Sequence, residues 1–145
     1  MEKQKLRERF GVLVRPSDRW ELIQLGVDGG DTSLRAALEA YFGGAIRVER
    51  TSDGYAYVSR VGAFEDGCPK NDPMSYQGMI SMYGDVIILP KNHVKSGGCA
   101  PEFWTISEAN QMKVLNEAQW RSALRNRWAA YHGCANENDG GKNDG

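Results

Sequence analysis

The residues best suited to metal binding or nucleophilic catalysis are three cysteines and two histidines. They are Cys68, His93, Cys99, His132 and Cys134. Structural zinc sites usually contain ligand pairs that lie close together in the sequence. Here His93 and Cys99 are six positions apart and Cys68 is isolated. The spacing is typical of unrelated loop thiols, so we expect no bound metal and no other cofactor.

A cysteine nucleophile needs a histidine nearby and a feature that stabilises its thiolate. Cys68 or Cys99 could pair with His93 if their loops met. Neither Gly67-Cys-Pro69 nor Gly98-Cys-Ala100 begins a helix in an obvious way. A small hydrolase or thiol-dependent enzyme therefore remains an alternative, and we assign no catalytic residue.

Two loop regions carry polar residues suited to binding. Asn71 and Asp72 lie in an irregular stretch, residues 62–82, and Lys91, His93 and Lys95 form a small basic loop beside Gly97. The basic loop is the better anion candidate, although lone charges most often lie on a solvated surface. Long irregular loops are usually functional or disordered, so these residues are candidates for contact with a ligand.

A basic, tryptophan-bearing helix is predicted near the end of the chain. Its binding candidates are Trp120, Arg121, Arg125 and Trp128. Such a helix could lie against a phosphate backbone. The same tryptophans could equally well form core or protein contacts, and an exposed tryptophan more naturally marks a protein interface. We therefore favour a protein partner or self-association through this helix over nucleic acid.

Composition narrows the class of protein. The chain has 145 residues, 26% charged residues and a net charge of −1, which suits one globular domain. The near-neutral charge argues against a dedicated nucleic-acid coat. Residues 1–10 are charged without a following apolar segment, and no apolar run could span a bilayer. We therefore expect no membrane association and a cytoplasmic location.

Periodicity and turn residues predict the elements that position these candidates. Strands are predicted at 11–15, 20–25, 45–50, 55–61 and 86–89, and helices at 32–42 and from Glu108 to about His132. Asp31, Thr32 or Ser33 could cap the first helix, and Gly43 could end it. Ser107 could cap the second, and Thr105 with Glu108 matches a capping box one register earlier.

The predicted fold class is α+β. An antiparallel or mixed sheet of about five strands would pack against the short helix and the long C-terminal helix. We expect a flexible segment at residues 1–10, a single domain at 11–133 and a disordered polar tail at 134–145.

Several short motifs together resemble a known family. They are Leu38, Phe42-Gly-Gly44, Ile46, Val48, Asn71, Gly84-Asp-Val-Ile87 and Phe103-Trp-Thr-Ile-Ser-Glu108. In this order, across residues 30–115, they resemble domain-of-unknown-function family 3846, a group of small phage- and plasmid-associated proteins. The resemblance implies a mobile-element origin in a bacterial host's cytoplasm. It transfers no catalytic residue, because the family has no established chemistry.

The sequence thus predicts a non-enzymatic accessory protein of a phage or other mobile element. It would bind a host or phage protein, or a small ligand near the loops at 62–82 and 90–101. Nucleic-acid binding through the C-terminal helix is the first alternative, and a small hydrolase or thiol-dependent enzyme is the second.

Overall fold

A five-stranded antiparallel sheet forms the centre of the protein. In the computed structural model, residues 7–51, 54–78, 80–90 and 102–128 are described. The strands are β1 (Arg7–Arg15), β2 (Arg19–Asp28), β3 (Ile46–Arg50), β4 (Tyr55–Arg60) and β5 (Val86–Pro90), and the helices are α1 (Leu34–Phe42), α2 (Asp72–Gly78) and α3 (Ile106–Trp128). The fold class is α+β, as the sequence predicts.

The strand order is β2-β1-β5-β4-β3. Two hairpins, β1–β2 and β3–β4, are joined by β5, which pairs antiparallel with β1 on one side and β4 on the other. This order brings the end of β1, the start of β5 and the end of β4 to the same end of the sheet. The candidate site described below lies there.

Helix α1 covers part of one face of the sheet. Ser33 caps it by accepting a hydrogen bond from the backbone N–H of Ala36 at 3.0 Å, and Gly43 ends it with φ of 75°. Because glycine has no Cβ, it adopts this left-handed conformation at little cost. Eight buried residues form the core beneath the helix: Leu13, Leu25, Leu34, Leu38, Ile46, Val58, Ile87 and Leu89.

The opposite face of the central strands is buried as well. Side chains alternate across a strand, so Val12, Val14, Tyr57, Val86 and Ile88 point away from α1, and all are at most 1% exposed. Trp104 extends this side, because its backbone exchanges two hydrogen bonds with Phe10. Burial on both faces explains the continuous apolar run of β5.

Strand β1 begins at Arg7, inside the segment of residues 1–10 that the sequence analysis expects to be flexible, and that division of the chain stays a prediction. Arg9 is only 4% exposed. Its Nε donates to the carbonyl oxygen of Leu25 at 2.8 Å and its Nη2 to that of Thr32 at 2.7 Å. These bonds join the first residues of β1 to β2 and to the segment before α1. Residues 1–6 lie outside the described part of the chain.

The irregular stretch at 62–82 contains the short helix α2, which the sequence analysis did not predict. Asn71 caps it: the side-chain Oδ1 accepts from Met74 N at 3.1 Å, and the backbone carbonyl accepts from Ser75 N at 2.8 Å. Two backbone hydrogen bonds, from Asn71 N to Met82 O and from Gly84 N to Pro69 O, join parts of this segment to each other. The Asn71 side chain connects the segment to the sheet, because its Nδ2 donates to the carbonyl oxygen of Val14 in β1.

Helix α3 begins at Ile106 with the capping box, so Thr105 and not Ser107 is its N-cap residue. Glu108 N donates to Thr105 Oγ1 at 3.1 Å, and Thr105 N donates to Glu108 Oε1 at 3.0 Å. The predicted end near His132 and the tail at 134–145 lie outside the described residues. No helix in the described part of the chain has both the length and the apolar character to cross a membrane.

Contacts group the chain into two compact units, residues 1–113 and 114–145, and the division falls within α3. The sheet, α1, α2 and the first turns of α3 belong to the first unit. The predicted single domain of residues 11–133 stays a prediction.

Candidate ligand-binding cleft

A cleft opens at the end of the sheet where β1 ends, β5 begins and α1 ends. Its volume is about 470 Å³, within the range of sites for small organic molecules. Ten residues line it: Pro16, Tyr41, Phe42, Arg60, Ala63, Cys68, Pro69, Tyr83, Gly84 and Asp85. Below, "the cleft" means this set.

Arg60 is the charged centre of one wall. Its Nη1 lies 2.8 Å from Asp66 Oδ2, and its Nη2 donates to Cys68 Sγ at 3.6 Å. The hydrogen bond to Asp66, followed by the one to Cys68, raises the pKa of the Arg60 guanidinium above its ordinary value. Arg60 is therefore a permanent cation whose planar fork is already oriented by two neighbours.

The other wall carries a tyrosine–carboxylate pair. Tyr41, in the last turn of α1, donates its hydroxyl to Asp85 Oδ2 at 2.8 Å. Burial, followed by this hydrogen bond and the Asp85 charge, raises the pKa of Tyr41 to about 12. The phenol thus remains protonated throughout the neutral range and keeps its one donor hydrogen on Asp85. Asp85 belongs to the Gly84–Ile87 motif that the resemblance uses.

We expect Tyr41 to titrate near pH 12 in the folded protein, against 10 for an unperturbed tyrosine. Because its folded pKa is raised, Tyr41's contribution to stability is complete below pH 10 and is lost as the pH rises through 12. Absorbance titration of the protein and of Tyr41→Phe, taken as a difference, measures the pKa. In Asp85→Asn the pKa should fall part of the way back, because burial remains. A Tyr41 pKa of 10 would contradict the hydrogen bond.

Loop 61–69 separates the cleft from a second concavity on the opposite face of the sheet. Phe64 is 63% exposed, and its ring lies 4.8 Å from that of Tyr83 between centroids. Exposed Phe64 and Ile80 border this second concavity together with Arg47 and Glu49 of β3. Tyr83, Arg60 and Ala63 line both concavities, so a change at this loop would affect both.

Asn71 is a buried residue whose side chain bonds to backbone groups. Its exposed fraction is 0%. The side-chain Nδ2 donates to Val14 O and to Gly84 O, both at 2.9 Å, while Oδ1 caps α2. Both polar atoms of the amide are thus bonded to backbone groups, and the binding role of Asn71 stays a prediction. Asp72 is exposed in the first turn of α2, and its binding role stays a prediction.

The other predicted binding residues belong to α3 or lie outside the described residues. Lys91, His93 and Lys95 are outside it, as are Cys99, His132 and Cys134. In α3, Arg121 pairs with Glu117 at 3.2 Å. Trp120 is 3% exposed and Trp128 60%. Arg125 is exposed.

Sequence reasoning missed Tyr41, Arg60 and Asp85 as site residues. They belong to α1, β4 and the turn before β5, so no spacing along the chain groups them. One signal was available: Arg60 follows the buried run of β4, and Asp85 precedes the buried run of β5. Because these two strands pair antiparallel, the end of β4 lies beside the start of β5, and both charged side chains belong to the same end of the sheet.

The described residues give little support for a metal site or for a thiol nucleophile. Within residues 7–51, 54–78, 80–90 and 102–128, no group of three His, Cys, Asp or Glu side chains is arranged to hold a metal ion. Both histidines lie outside those ranges, so the structure places no histidine beside Cys68. Cys68 is half-buried, and its described polar neighbour is Arg60.

No family model and no curated protein matches the chain, so the resemblance to family 3846 stays a prediction. Among solved structures, the chain is similar to the crystal structure of the small RNA methyltransferase HEN1, with a TM-score of 0.51 and 15% sequence identity. The match covers 73% of this chain and 16% of that chain. At this identity, the likeness shows the fold alone.

Proposed function

We propose that this protein is a non-enzymatic binding protein whose small ligand occupies the cleft. The observation that supports this most is the convergence of Tyr41, Arg60 and Asp85 around one cavity of about 470 Å³. A concave, partly apolar site with a few converging polar groups is the usual form of a small-molecule site. This cleft has that form.

The lining indicates the chemistry of the ligand. Phe42, Pro16, Pro69 and Ala63 offer apolar contact, which suits a compact ring or short aliphatic body. Arg60 is already paired with Asp66, and Asp85 carries a second negative charge beside Tyr41. A strongly anionic ligand would meet these two carboxylates. We therefore propose an uncharged or zwitterionic molecule with a hydrogen-bond acceptor facing Arg60.

Ligand-observed NMR with a library of neutral and zwitterionic fragments tests this proposal. The chain offers its own blocking site, because Cys68 lines the cleft. In a Cys99→Ser/Cys134→Ser background, a bulky thiol reagent on Cys68 should abolish fragment binding. The same reagent applied after a further Cys68→Ser substitution should leave binding unchanged. Fragments that bind equally well before and after Cys68 is blocked would contradict a ligand site in the cleft.

The biological setting that we propose follows the sequence resemblance. An accessory protein of a phage or other mobile element would act in the bacterial host's cytoplasm, where free thiols such as Cys68 remain reduced. If a host or phage protein, and no small molecule, co-purified with this chain, we would propose the exposed loop around Phe64 as the contact surface.

The exposed end of α3 favours nucleic-acid binding as a second candidate. Arg125, Arg127 and Trp128 are exposed there, and the structurally similar HEN1 is a small RNA methyltransferase. If this helix binds RNA, affinity should fall steeply with salt, because phosphate contacts release counterions. Fluorescence anisotropy with a short RNA at two salt concentrations measures this. Arg125→Glu/Arg127→Glu should abolish binding, and Arg35→Glu on α1 is the matched control. Salt-independent binding, or none, would remove this candidate.

A further inference from the structure

Strand β3 is an edge strand of the sheet, and its pairing with β4 shows which of its backbone groups point outward. The backbone hydrogen bonds from Thr51 N to Tyr55 O and from Val61 N to Ala45 O set the pairing pattern of β3 with β4. In an antiparallel ladder, hydrogen-bonded pairs alternate with pairs that are not bonded to each other. Residues 45, 47, 49 and 51 therefore bond to β4, and the N–H and C=O groups of Ile46, Val48 and Arg50 point outward.

The two edge strands of the sheet, β2 and β3, differ in how continuous their pairing is. In β2, Leu25 and Gly26 stand opposite the single residue Arg9, and Gly26 has φ of 78°. This is a β-bulge, which twists an edge strand and interrupts its pairing surface. The register of β3 with β4 is continuous, and β3 contains neither proline nor lysine. Among the described residues, no strand pairs with the outer edge of β3.

The sequence of β3 is complementary to itself in the antiparallel direction. About a two-fold axis at Val48, Arg47 of one copy faces Glu49 of the second, and Glu49 faces Arg47. Within one chain these two side chains already approach to 2.7 Å, so they lie on the same face of the strand. Opposite charges directly across an antiparallel pair stabilise it. The register centred on Val48 also matches the outward backbone groups of Ile46, Val48 and Arg50.

We propose that this protein forms a homodimer by antiparallel pairing of β3 with β3 of a second copy. Six backbone hydrogen bonds would form, two between the Val48 residues and four between Ile46 and Arg50 of opposite copies. The 37% exposed Val48 side chains would meet across the axis, on the face that carries α1. The two sheets would become one continuous sheet of ten strands. This inference is independent of the proposed cleft ligand.

The dimer can be tested by charge exchange at β3, with sedimentation velocity over a concentration series. The wild-type mass should rise from 16.1 kDa to twice that value. Arg47→Glu or Glu49→Arg alone places like charges opposite each other and should raise the dissociation constant by about tenfold. The double variant Arg47→Glu/Glu49→Arg restores complementarity and should dimerise like wild type. Each variant's melting temperature reports whether the monomer remains folded.

A proline at the axis supplies a second test. Val48→Pro removes an outward N–H without removing a hydrogen bond to β4, so the dimer should be lost while the monomer stays folded. If this variant does not fold, hydrogen exchange of wild type replaces it, since the Val48 amide should gain protection as concentration rises. A protein that stays monomeric throughout, or a dimer unaffected by the single charge reversals, would overturn the proposal. A dimer that formed through the C-terminal helix would be unaffected by the charge reversals in β3.

Discussion

Replacing Asn71 by alanine is expected to lower the free energy of unfolding by about 3 kcal/mol. The substitution removes the donor to Val14 O and Gly84 O and the cap of α2 at once. Leaving a buried acceptor without a partner costs about 1–3 kcal/mol, and losing a helix cap costs about 1 kcal/mol. Water cannot replace these bonds readily, because the side chain is 0% exposed. Urea unfolding followed by circular dichroism measures the loss.

Two controls separate the roles of the Asn71 amide. Asn71→Asp keeps a capping oxygen for Met74 N, but it places a carboxylate oxygen beside the carbonyl oxygens of Val14 and Gly84 and so causes repulsion. It should therefore destabilise at least as much as alanine at neutral pH, and recover in part in acid as the carboxyl is protonated. Asp72→Ala, one position on and exposed, should change stability by less than about 1 kcal/mol. Equal effects at positions 71 and 72 would contradict the structural role of Asn71.

Replacing Arg9 by methionine is expected to cost about 2 kcal/mol of unfolding free energy. Methionine fills much of the volume but cannot donate to Leu25 O or Thr32 O. The bond to Leu25 O is buried, so its loss carries most of the penalty, whereas water can partly replace the bond to Thr32 O. Thermal or urea unfolding gives the magnitude. Hydrogen exchange should show the largest loss of protection in β1 and β2.

A graded series gives this second prediction its control. Arg9→Lys retains one cation that can reach one of the two carbonyl oxygens, so it should lie between wild type and Arg9→Met. Arg7→Met, two positions earlier and exposed, removes only the contact of the guanidinium with the Phe103 ring at 5.0 Å, worth about 0.5–1 kcal/mol. If Arg9→Met were as mild as Arg7→Met, residues 7–10 would be the flexible segment that the sequence suggested.

Much of the sheet could be predicted from local patterns. The strand at Ile46–Arg50, the apolar run of β5 and the glycine after α1 each follow from short-range chemistry. The start of β1 could not be predicted in this way, because Arg7, Glu8 and Arg9 are typical of a solvated segment. Only the distant carbonyl groups of Leu25 and Thr32 make a buried Arg9 favourable.

Helix α2 had a readable signal that the irregular composition of residues 62–82 obscured. Asn71 is a preferred N-cap residue, and Pro73 in the first turn needs no N–H donor there. The cleft was harder to foresee. Pro16, Tyr41, Arg60, Cys68 and Asp85 come from five separate segments, and only the strand order β2-β1-β5-β4-β3 brings them together.

A crystal structure of the protein with its tightest-binding fragment tests the central proposal most directly. The account predicts the fragment between Tyr41, Arg60 and Asp85, with an acceptor atom within hydrogen-bonding distance of the Arg60 guanidinium. A fragment seated elsewhere, with the cleft holding only solvent, would contradict the proposal that this cleft is the site of binding.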